Sequence, residues 1–60
     1  MTTQAAELTP RQARFVDEYM VDLNGTQAAI RAGYSRKTAE VLAYQLLQKP
    51  LVAATVAKRR

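Results

Sequence analysis

Hydrophobic residues recur every three or four positions along most of this chain, as they do on the buried face of an amphipathic α-helix. No stretch shows an alternation of apolar and polar residues that is long enough to indicate a β-strand. Proline and glycine interrupt the helical spacing at a few positions, and each interruption separates one segment from the next. The pattern therefore predicts an all-α fold, a small bundle of about four helices.

The first helix is predicted to begin at Pro10. Thr9 is a favourable N-cap, a proline loses no hydrogen bond in the first turn, and Gln12 is placed to complete a capping box. Phe15 and Tyr19 lie on the apolar face of this helix. We therefore expect both rings in the core rather than stacked on nucleic-acid bases.

A glycine corner divides the middle of the chain into two short helices. Asn24 can cap a helix that runs from about Gly25 to Ala32, and Gly33 can take the left-handed conformation that ends it. Ser35 is predicted to cap a third helix, which Pro50 ends, and a fourth helix is predicted to begin at that proline. Two helices joined by such a corner outline a helix-turn-helix.

The apolar positions of the later helices keep the helical spacing. Tyr34, directly after the corner, is expected to pack inward, and Lys49 is a poor cap for the fourth helix. The positions that we expect to be at least partly buried are Ala28, Ala29, Ile30, Ala32, Ala39, Leu42, Ala43, Leu46, Leu47, Leu51, Val52, Ala54, Thr55 and Val56.

Length limits the organisation to one small domain. A chain of 60 residues has no room for a second core. Residues 1–8 are predicted to be a flexible lead-in to a domain that spans 9–60. Because the last residues look helical and carry no stop signal, we expect the chain to be a fragment of a longer protein.

The basic residues lie mainly in the second half of the chain. Residues 1–30 carry two basic and four acidic residues, whereas residues 31–60 carry seven basic residues and one acidic residue. A cationic surface of this kind favours a polyanion such as nucleic acid as the partner. The simpler alternative is a solvated surface with a basic C-terminal tail, Lys58 to Arg60.

The composition argues against catalysis. Cysteine and histidine are absent, so disulfides and transition-metal sites are not expected. Asp17, Glu18 and Asp22 are predicted on the exposed side of the first helix, where nothing would raise a carboxyl pKa by burial. We predict a protein that is not an enzyme and that needs no cofactor or metal. No signal peptide or membrane span is evident, so we expect a soluble, intracellular chain.

The corner also carries the candidate chemistry. Arg36 and Lys37 fall in the first turn of the predicted third helix, where the helix dipole disfavours cations. A phosphate near Ser35 would offset that cost, although simple solvation of both charges is the alternative. Glu40 could accept from cytosine or instead pair with Arg36. The candidate DNA-contacting residues are Arg31, Ser35, Arg36, Lys37, Thr38, Glu40, Tyr44 and Lys49. The candidates for contacts to the DNA backbone are Arg31, Lys49 and the terminal cluster Lys58–Arg60.

Three segments of the chain, residues 8–19, 24–35 and 46–50, closely resemble the N-terminal domain of bacteriophage terminase small subunits. Lys49 stands where that family often has asparagine. The resemblance implies a helix-turn-helix DNA-binding domain that recognises the packaging start site on viral DNA for genome packaging. It also places the DNA-facing corner on residues 34–38, with Tyr34 structural.

The resemblance implies further partners. The small subunit presents viral DNA to the terminase large subunit and assembles into a homo-oligomeric ring, in both cases through regions that these 60 residues lack. We therefore expect a monomer that binds double-stranded DNA weakly, in the cytoplasm of the infected bacterial host and away from membranes.

Two alternatives stay open. A transcription regulator can use the same helix-turn-helix, because the fold does not state which DNA it serves. A helical adaptor could instead bind a protein through Leu51, Val52 and Val56 of the fourth helix. A DNA footprint separates the first alternative from genome packaging, and the salt dependence of DNA binding separates the second.

Overall fold

The computed structural model describes residues 8–60. These residues form four helices and no β-strand: α1 (Pro10–Asp22), α2 (Gly25–Arg31), α3 (Ala39–Gln48) and α4 (Pro50–Arg59). The all-α prediction is confirmed. Most of the predicted lead-in lies outside the described residues, but Leu8, which we assigned to it, packs against the core.

Local hydrogen bonds set both ends of α1. Thr9 Oγ1 accepts a bond from the Gln12 N–H, and Gln12 Oε1 accepts one from the Thr9 N–H, each at 3.1 Å. The predicted capping box is therefore confirmed. At the other end Leu23 adopts a φ of 57° and donates its N–H to the Tyr19 carbonyl, which closes the helix. Asn24 Oδ1 then accepts from the Gln27 N–H at 3.1 Å and caps α2 as predicted.

The turn after α2 depends on Gly33. Its φ is 105°, a value that side-chain-bearing residues rarely adopt, so the predicted left-handed glycine is confirmed. The Gly33 N–H donates to the Ile30 carbonyl and the Tyr34 N–H to the Ala29 carbonyl, both at 3.0 Å. These bonds reverse the chain and direct Tyr34 back towards the core, against which it packs half-buried.

The predicted start of the third helix is wrong. Ser35 does not cap α3, which begins four residues later at Ala39. The Ser35 carbonyl instead accepts from the Thr38 N–H at 3.1 Å, and the Arg36 carbonyl accepts from the Ala39 N–H at 3.4 Å. These contacts between residues three positions apart form a tighter turn than an α-helix, and Thr38 leaves helical geometry with a φ of −110° and a ψ of 5°.

Pro50 separates α3 from α4, as predicted. Lys49 ends α3 in an extended conformation and makes no side-chain capping bond to α4, which agrees with its poor capping ability. Two positions that we expected to be partly buried on α4 are exposed instead: Leu51 is 37% exposed, and Ala54 is exposed as well. Only one face of this helix meets the other helices, so these two positions face solvent.

All four helices contribute to one apolar core. α2 packs against α1 and α3, and α4 also packs against α1 and α3. α2 and α3 approach closely, because a Cβ added at Gly25 would lie only 3.2 Å from the Ala43 Cβ. The ring of Phe15 is fully buried and stacks on Tyr19 with a centroid distance of 5.9 Å, so both predicted core aromatics are confirmed as packing residues. The buried residues are Phe15, Val16, Ala28, Ala29, Ala39, Ala43, Leu46, Val52 and Val56.

Replacing Gly33 with valine is expected to destabilise the fold by about 1–3 kcal/mol, because a branched residue is strained at this positive φ. Space is not the obstacle, since an added Cβ would meet only Arg11 Nε, at 3.8 Å. Urea unfolding of the valine variant measures the cost, and Gly33→Asn, which tolerates a positive φ better, is the control. A valine variant as stable as the original chain would contradict this account of the corner.

Candidate nucleic-acid interface

The corner between α2 and α3, residues 32–38, presents two cations to solvent. Arg36 and Lys37 are both exposed, and neither forms an ion pair with any residue in the described range 8–60. The alternative pairing of Arg36 with Glu40 is not formed. The turn thus carries two positive charges that no carboxylate of the described residues compensates.

The start of α3 is electrostatically favourable. Because α3 begins at Ala39, its first turn holds Glu40, whose negative charge suits a helix N-terminus, while Arg36 and Lys37 precede the helix. The helix dipole therefore does not disfavour these two cations, contrary to our expectation. The cost that a bound phosphate was expected to offset does not exist. Thr38 makes no capping hydrogen bond, so the first N–H groups of α3 have no side-chain acceptor among the described residues.

One face of α3 is open to solvent. Tyr44 is 67% exposed and Val41 58% exposed, although both could have belonged to a core. Glu40, Gln45 and Gln48 are exposed on the same helix. The sequence interpretation selected Glu40 and Tyr44 and missed the other three, which could have been found as the positions left over once Ala39, Ala43 and Leu46 were assigned to the core. We call these five residues the exposed face of α3.

The predicted contact residues are not all together. Ser35 and Thr38 lie in the corner with Arg36 and Lys37, and both are exposed. Lys49 lies beyond the opposite end of α3, so about 15 Å of helix separates it from the corner. Any ligand that touches the corner and Lys49 at once must extend along the whole of α3.

Arg31 points its guanidinium at the acidic side of α1. Its Nε lies 2.7 Å from Glu18 Oε1, and its Nη2 lies 3.1 Å from the Glu18 carbonyl oxygen and 3.3 Å from Asp22 Oδ1. Arg14 Nε donates to the other Glu18 carboxylate oxygen at 3.1 Å. We call these four residues the arginine clamp, because they tie α1 to α2.

Three residues of the arginine clamp have shifted pKa values. The hydrogen bond from Arg31, followed by that from Arg14, lowers the pKa of Glu18 below its ordinary value. The backbone N–H of Asn24 is the main cause that lowers the pKa of Asp22, and Arg31 adds to it. The bond to Glu18 raises the pKa of Arg31.

Acid is expected to weaken the arginine clamp. Since the pKa values of Glu18 and Asp22 are lowered by folding, their stabilisation is complete above the ordinary carboxyl range near about pH 4 and is lost as the pH falls through the lower folded values. Thermal melts at pH 7 and pH 3 should therefore show a smaller acid-induced loss in Glu18→Gln than in the original chain. Glu40→Gln, which removes an exposed carboxylate outside the clamp, is the matched control. Equal losses in all three proteins would contradict this account.

A shallow cleft lies beside the corner. It has a volume of about 640 Å³ and lies between the first turns of α1 and the corner. Arg11 spans it, with its Cζ 5.4 Å from the centroid of the Tyr34 ring. The sequence interpretation missed the contact between Arg11 and Tyr34, because the spacing of the two residues in the sequence does not predict it. The cleft is lined by Thr9, Pro10, Arg11, Arg14, Ala32 and Tyr34.

The basic C-terminal residues are only partly free of acidic partners. Arg59 donates to Asp17 on α1, whereas Lys58 and Arg60 are exposed and form no ion pair within residues 8–60. In the same described range, no group of three or more acidic side chains is placed to hold a metal ion. No helix among these residues has both the length and the apolar composition needed to cross a bilayer.

The fold and the corner define a small helix-turn-helix module. Comparison with known proteins identifies its family: the family model for the terminase small subunit matches residues 8–60. The chain belongs to the terminase small subunit family, and the resemblance found in the sequence is confirmed.

Individual relatives agree with the family model. The chain is 50% identical over 52 residues to the terminase small subunit of Bacillus phage SPP1, a match that covers 85% of this chain and 35% of the relative. It is 47% identical over 53 residues to the terminase small subunit of Staphylococcus phage 80alpha, with 87% and 36% covered. A PBSX phage terminase small subunit from Bacillus subtilis (strain 168) is 44% identical over 50 residues, with 83% and 19% covered. The chain spans about a third of the length of the first two relatives.

Proposed function

We propose that residues 8–60 form the DNA-binding module of a terminase small subunit that recognises the packaging start site on viral DNA for genome packaging. The observation that carries this proposal is the corner, where Arg36 and Lys37 are exposed without an acidic partner among the described residues. Directly after it comes a helix with one open face. A cationic turn followed by such a helix suits a DNA duplex, in which phosphates flank a groove of base edges.

The two parts of this surface take different roles. Arg36 and Lys37 pair with backbone phosphates, and the uncapped start of α3, with Ser35 and Thr38 beside it, supplies additional hydrogen-bond donors to the same strand. These contacts position the module without reading sequence.

The exposed face of α3 enters the major groove. Gln45 or Gln48 can form a bidentate pair with adenine, Glu40 can accept from the cytosine amino group, and Val41 can contact a thymine methyl. Tyr44 supplies contact area beside them. Lys49, at the far end of α3, reaches the backbone about 15 Å from the corner.

Arg31 does not belong to this surface in our proposal. Its guanidinium is occupied by the carboxylates of Glu18 and Asp22, so binding a phosphate would require it to leave both. We assign Arg31 to the arginine clamp, where it holds α1 against α2 and thereby fixes the base of the helix-turn-helix.

The module acts without catalysis in this proposal. It takes no cofactor, and it works in the cytoplasm of the infected host cell. The terminase large subunit and the ring of identical small subunits are contacted through regions beyond these 60 residues, so the chain itself is monomeric.

Titration of the 60-residue chain with a DNA duplex at several salt concentrations tests binding. If about three to five phosphates are contacted, the logarithm of affinity falls against the logarithm of salt concentration with a slope of roughly −3 to −4.5. An affinity indifferent to salt would contradict the proposal and favour a helical adaptor. The structure already weakens the adaptor alternative, because two of the three residues assigned to protein binding, Val52 and Val56, are buried.

A footprint on the cognate viral genome tests the packaging role. Protection concentrated at the packaging start site supports the proposal, whereas protection of a promoter operator favours a transcription regulator with the same fold. The contrast must be made at one fixed salt concentration, because non-specific binding strengthens steeply at low salt.

A further inference from the structure

The arginines of this domain differ in what occupies their guanidinium groups. Arg14, Arg31 and Arg59 each donate N–H groups to a carboxylate. The side chain of Arg11 has no hydrogen bond or ion pair with any described residue, and its guanidinium lies over the ring of Tyr34 instead. Within residues 8–60, three arginines are therefore paired with carboxylates, whereas the guanidinium of Arg11 has no acidic partner.

Contact with an aromatic ring leaves an arginine able to bind an anion. A guanidinium presents its flat face to the ring, while its five N–H donors point outward along the edge. A carboxylate partner would occupy that edge, as Glu18 occupies the edge of Arg31. Tyr34 thus holds Arg11 in place without consuming the donors that a phosphate needs.

The position of Arg11 matters as much as its charge. Its Nε lies 3.8 Å from where a Cβ at Gly33 would stand, so the side chain lies directly against the corner. Tyr34 is two residues before Arg36 in the chain. A charge carried by the first turn of α1 is therefore brought to the same corner as the two exposed cations of the turn.

We propose that Arg11 binds a backbone phosphate of duplex DNA, with Tyr34 as the residue that positions it. The proposal rests on the DNA-binding function proposed above and extends its surface from the corner to the shallow cleft beside α1. The added contact fixes the orientation of the module on the duplex, because one phosphate is bound by α1 and others by the corner, at two separate points. It adds no base recognition.

Replacing Arg11 with glutamine tests the contact. Titration with a duplex should show an affinity about tenfold weaker, by a similar factor for specific and unrelated sequences, and a salt slope smaller by about 0.9. Arg14→Gln is the matched control, since Arg14 lies on the same helix and lines the same cleft but is paired with Glu18. We expect it to change affinity by less than about twofold.

Variants of Tyr34 test the positioning role. Tyr34→Phe keeps an aromatic face and should bind DNA like the original chain, whereas Tyr34→Leu should lose about as much affinity as Arg11→Gln. When the Arg11→Gln change is already present, Tyr34→Leu should add little further loss, since the two residues act as one unit. Circular dichroism of each variant establishes that it is folded before its affinity is compared.

The outcomes separate this inference from the function on which it rests. If the original chain binds DNA with the expected salt slope and Arg11→Gln binds identically, the DNA-binding function survives and the role of Arg11 is refuted. Equal losses in Arg11→Gln and Arg14→Gln would also refute it, because the effect would then follow net charge alone. A chain that does not bind duplex DNA at all would remove both proposals together.

Discussion

Alanine at both Arg36 and Lys37 is expected to weaken duplex binding by about a hundredfold near 0.1 M salt, if each lost charge-assisted contact costs about 1.4 kcal/mol. The salt slope should shrink by about 1.8, because two phosphates are no longer neutralised. Both side chains are exposed and form no ion pair among residues 8–60, so their removal breaks no contact within the fold. Fluorescence anisotropy of a labelled duplex, repeated at several salt concentrations, measures both quantities.

A control must show whether the loss of DNA affinity comes from the lower net charge or from the position of the two removed charges. Lys58→Ala with Arg60→Ala removes the same two charges from exposed positions at the end of α4 and is the matched control. A loss in this control equal to that in the Arg36 and Lys37 variant would show that any two cations suffice, and it would overturn the assignment of the corner.

Thermal stability provides the second comparison for this variant. A helix that began at Ser35 would gain slightly from the loss of two cations in its first turn. Because α3 begins at Ala39, with Glu40 in its first turn, that gain is not expected. The melting temperature of the double variant should therefore equal that of the original chain.

Signals contained within four or five residues of sequence predicted the fold well. The capping box of Thr9 and Gln12, the helix start at Pro50 and the positive φ of Gly33 each depend on one residue's own chemistry and its near neighbours. The spacing of apolar residues then identified the buried faces of α1, α2 and α3, since periodicity reports burial directly.

The start of α3 was missed because a helix N-terminus is a competition between local structures. Ser35 is a favourable cap, but its carbonyl accepts from the Thr38 N–H in a tight turn that excludes an α-helix at residues 36–38. The branched side chain of Thr38 and the cations before it favour that turn over the helix. The capping preference of Ser35 alone contains no information about the effect of Thr38 or of the cations.

Contacts between distant residues could not be predicted from spacing. Arg31 meets Glu18 thirteen positions away, and Arg59 meets Asp17 across 42 positions. A single sequence contains each charge but not the packing of α1 against its neighbours that decides which charges meet. For the same reason the spacing of residues shows neither the pairing of Arg31 with Glu18 nor the contact of Arg11 with the Tyr34 ring.

Truncating Phe15 to alanine is expected to have the largest effect on stability. The ring is fully buried and stacks on Tyr19, so its loss leaves a cavity that costs about 3–5 kcal/mol. A chain of this size has only about 3–9 kcal/mol to lose. The variant should therefore be largely unfolded at 37 °C by circular dichroism, while Phe15→Leu, which fills most of the cavity, should lose about 1 kcal/mol.

The exposed aromatic Tyr44 gives the matched control for this truncation. It is 67% exposed on α3, so Tyr44→Ala should leave the melting temperature unchanged while it weakens DNA binding. A Phe15→Ala variant that melts together with Tyr44→Ala would mean that the core has been assigned wrongly.

Duplex DNA should partly refold the Phe15→Ala variant, since a ligand that binds only the folded state stabilises it. At a free duplex concentration of about 100 Kd this linkage contributes about 2.7 kcal/mol, which is comparable to the loss from the cavity. The recovery should disappear when Arg36→Ala and Lys37→Ala are added, because at the same duplex concentration their weaker binding leaves almost no linkage. If duplex DNA still refolds the triple variant, the DNA-binding surface lies elsewhere on the domain and the assignment of the corner is wrong.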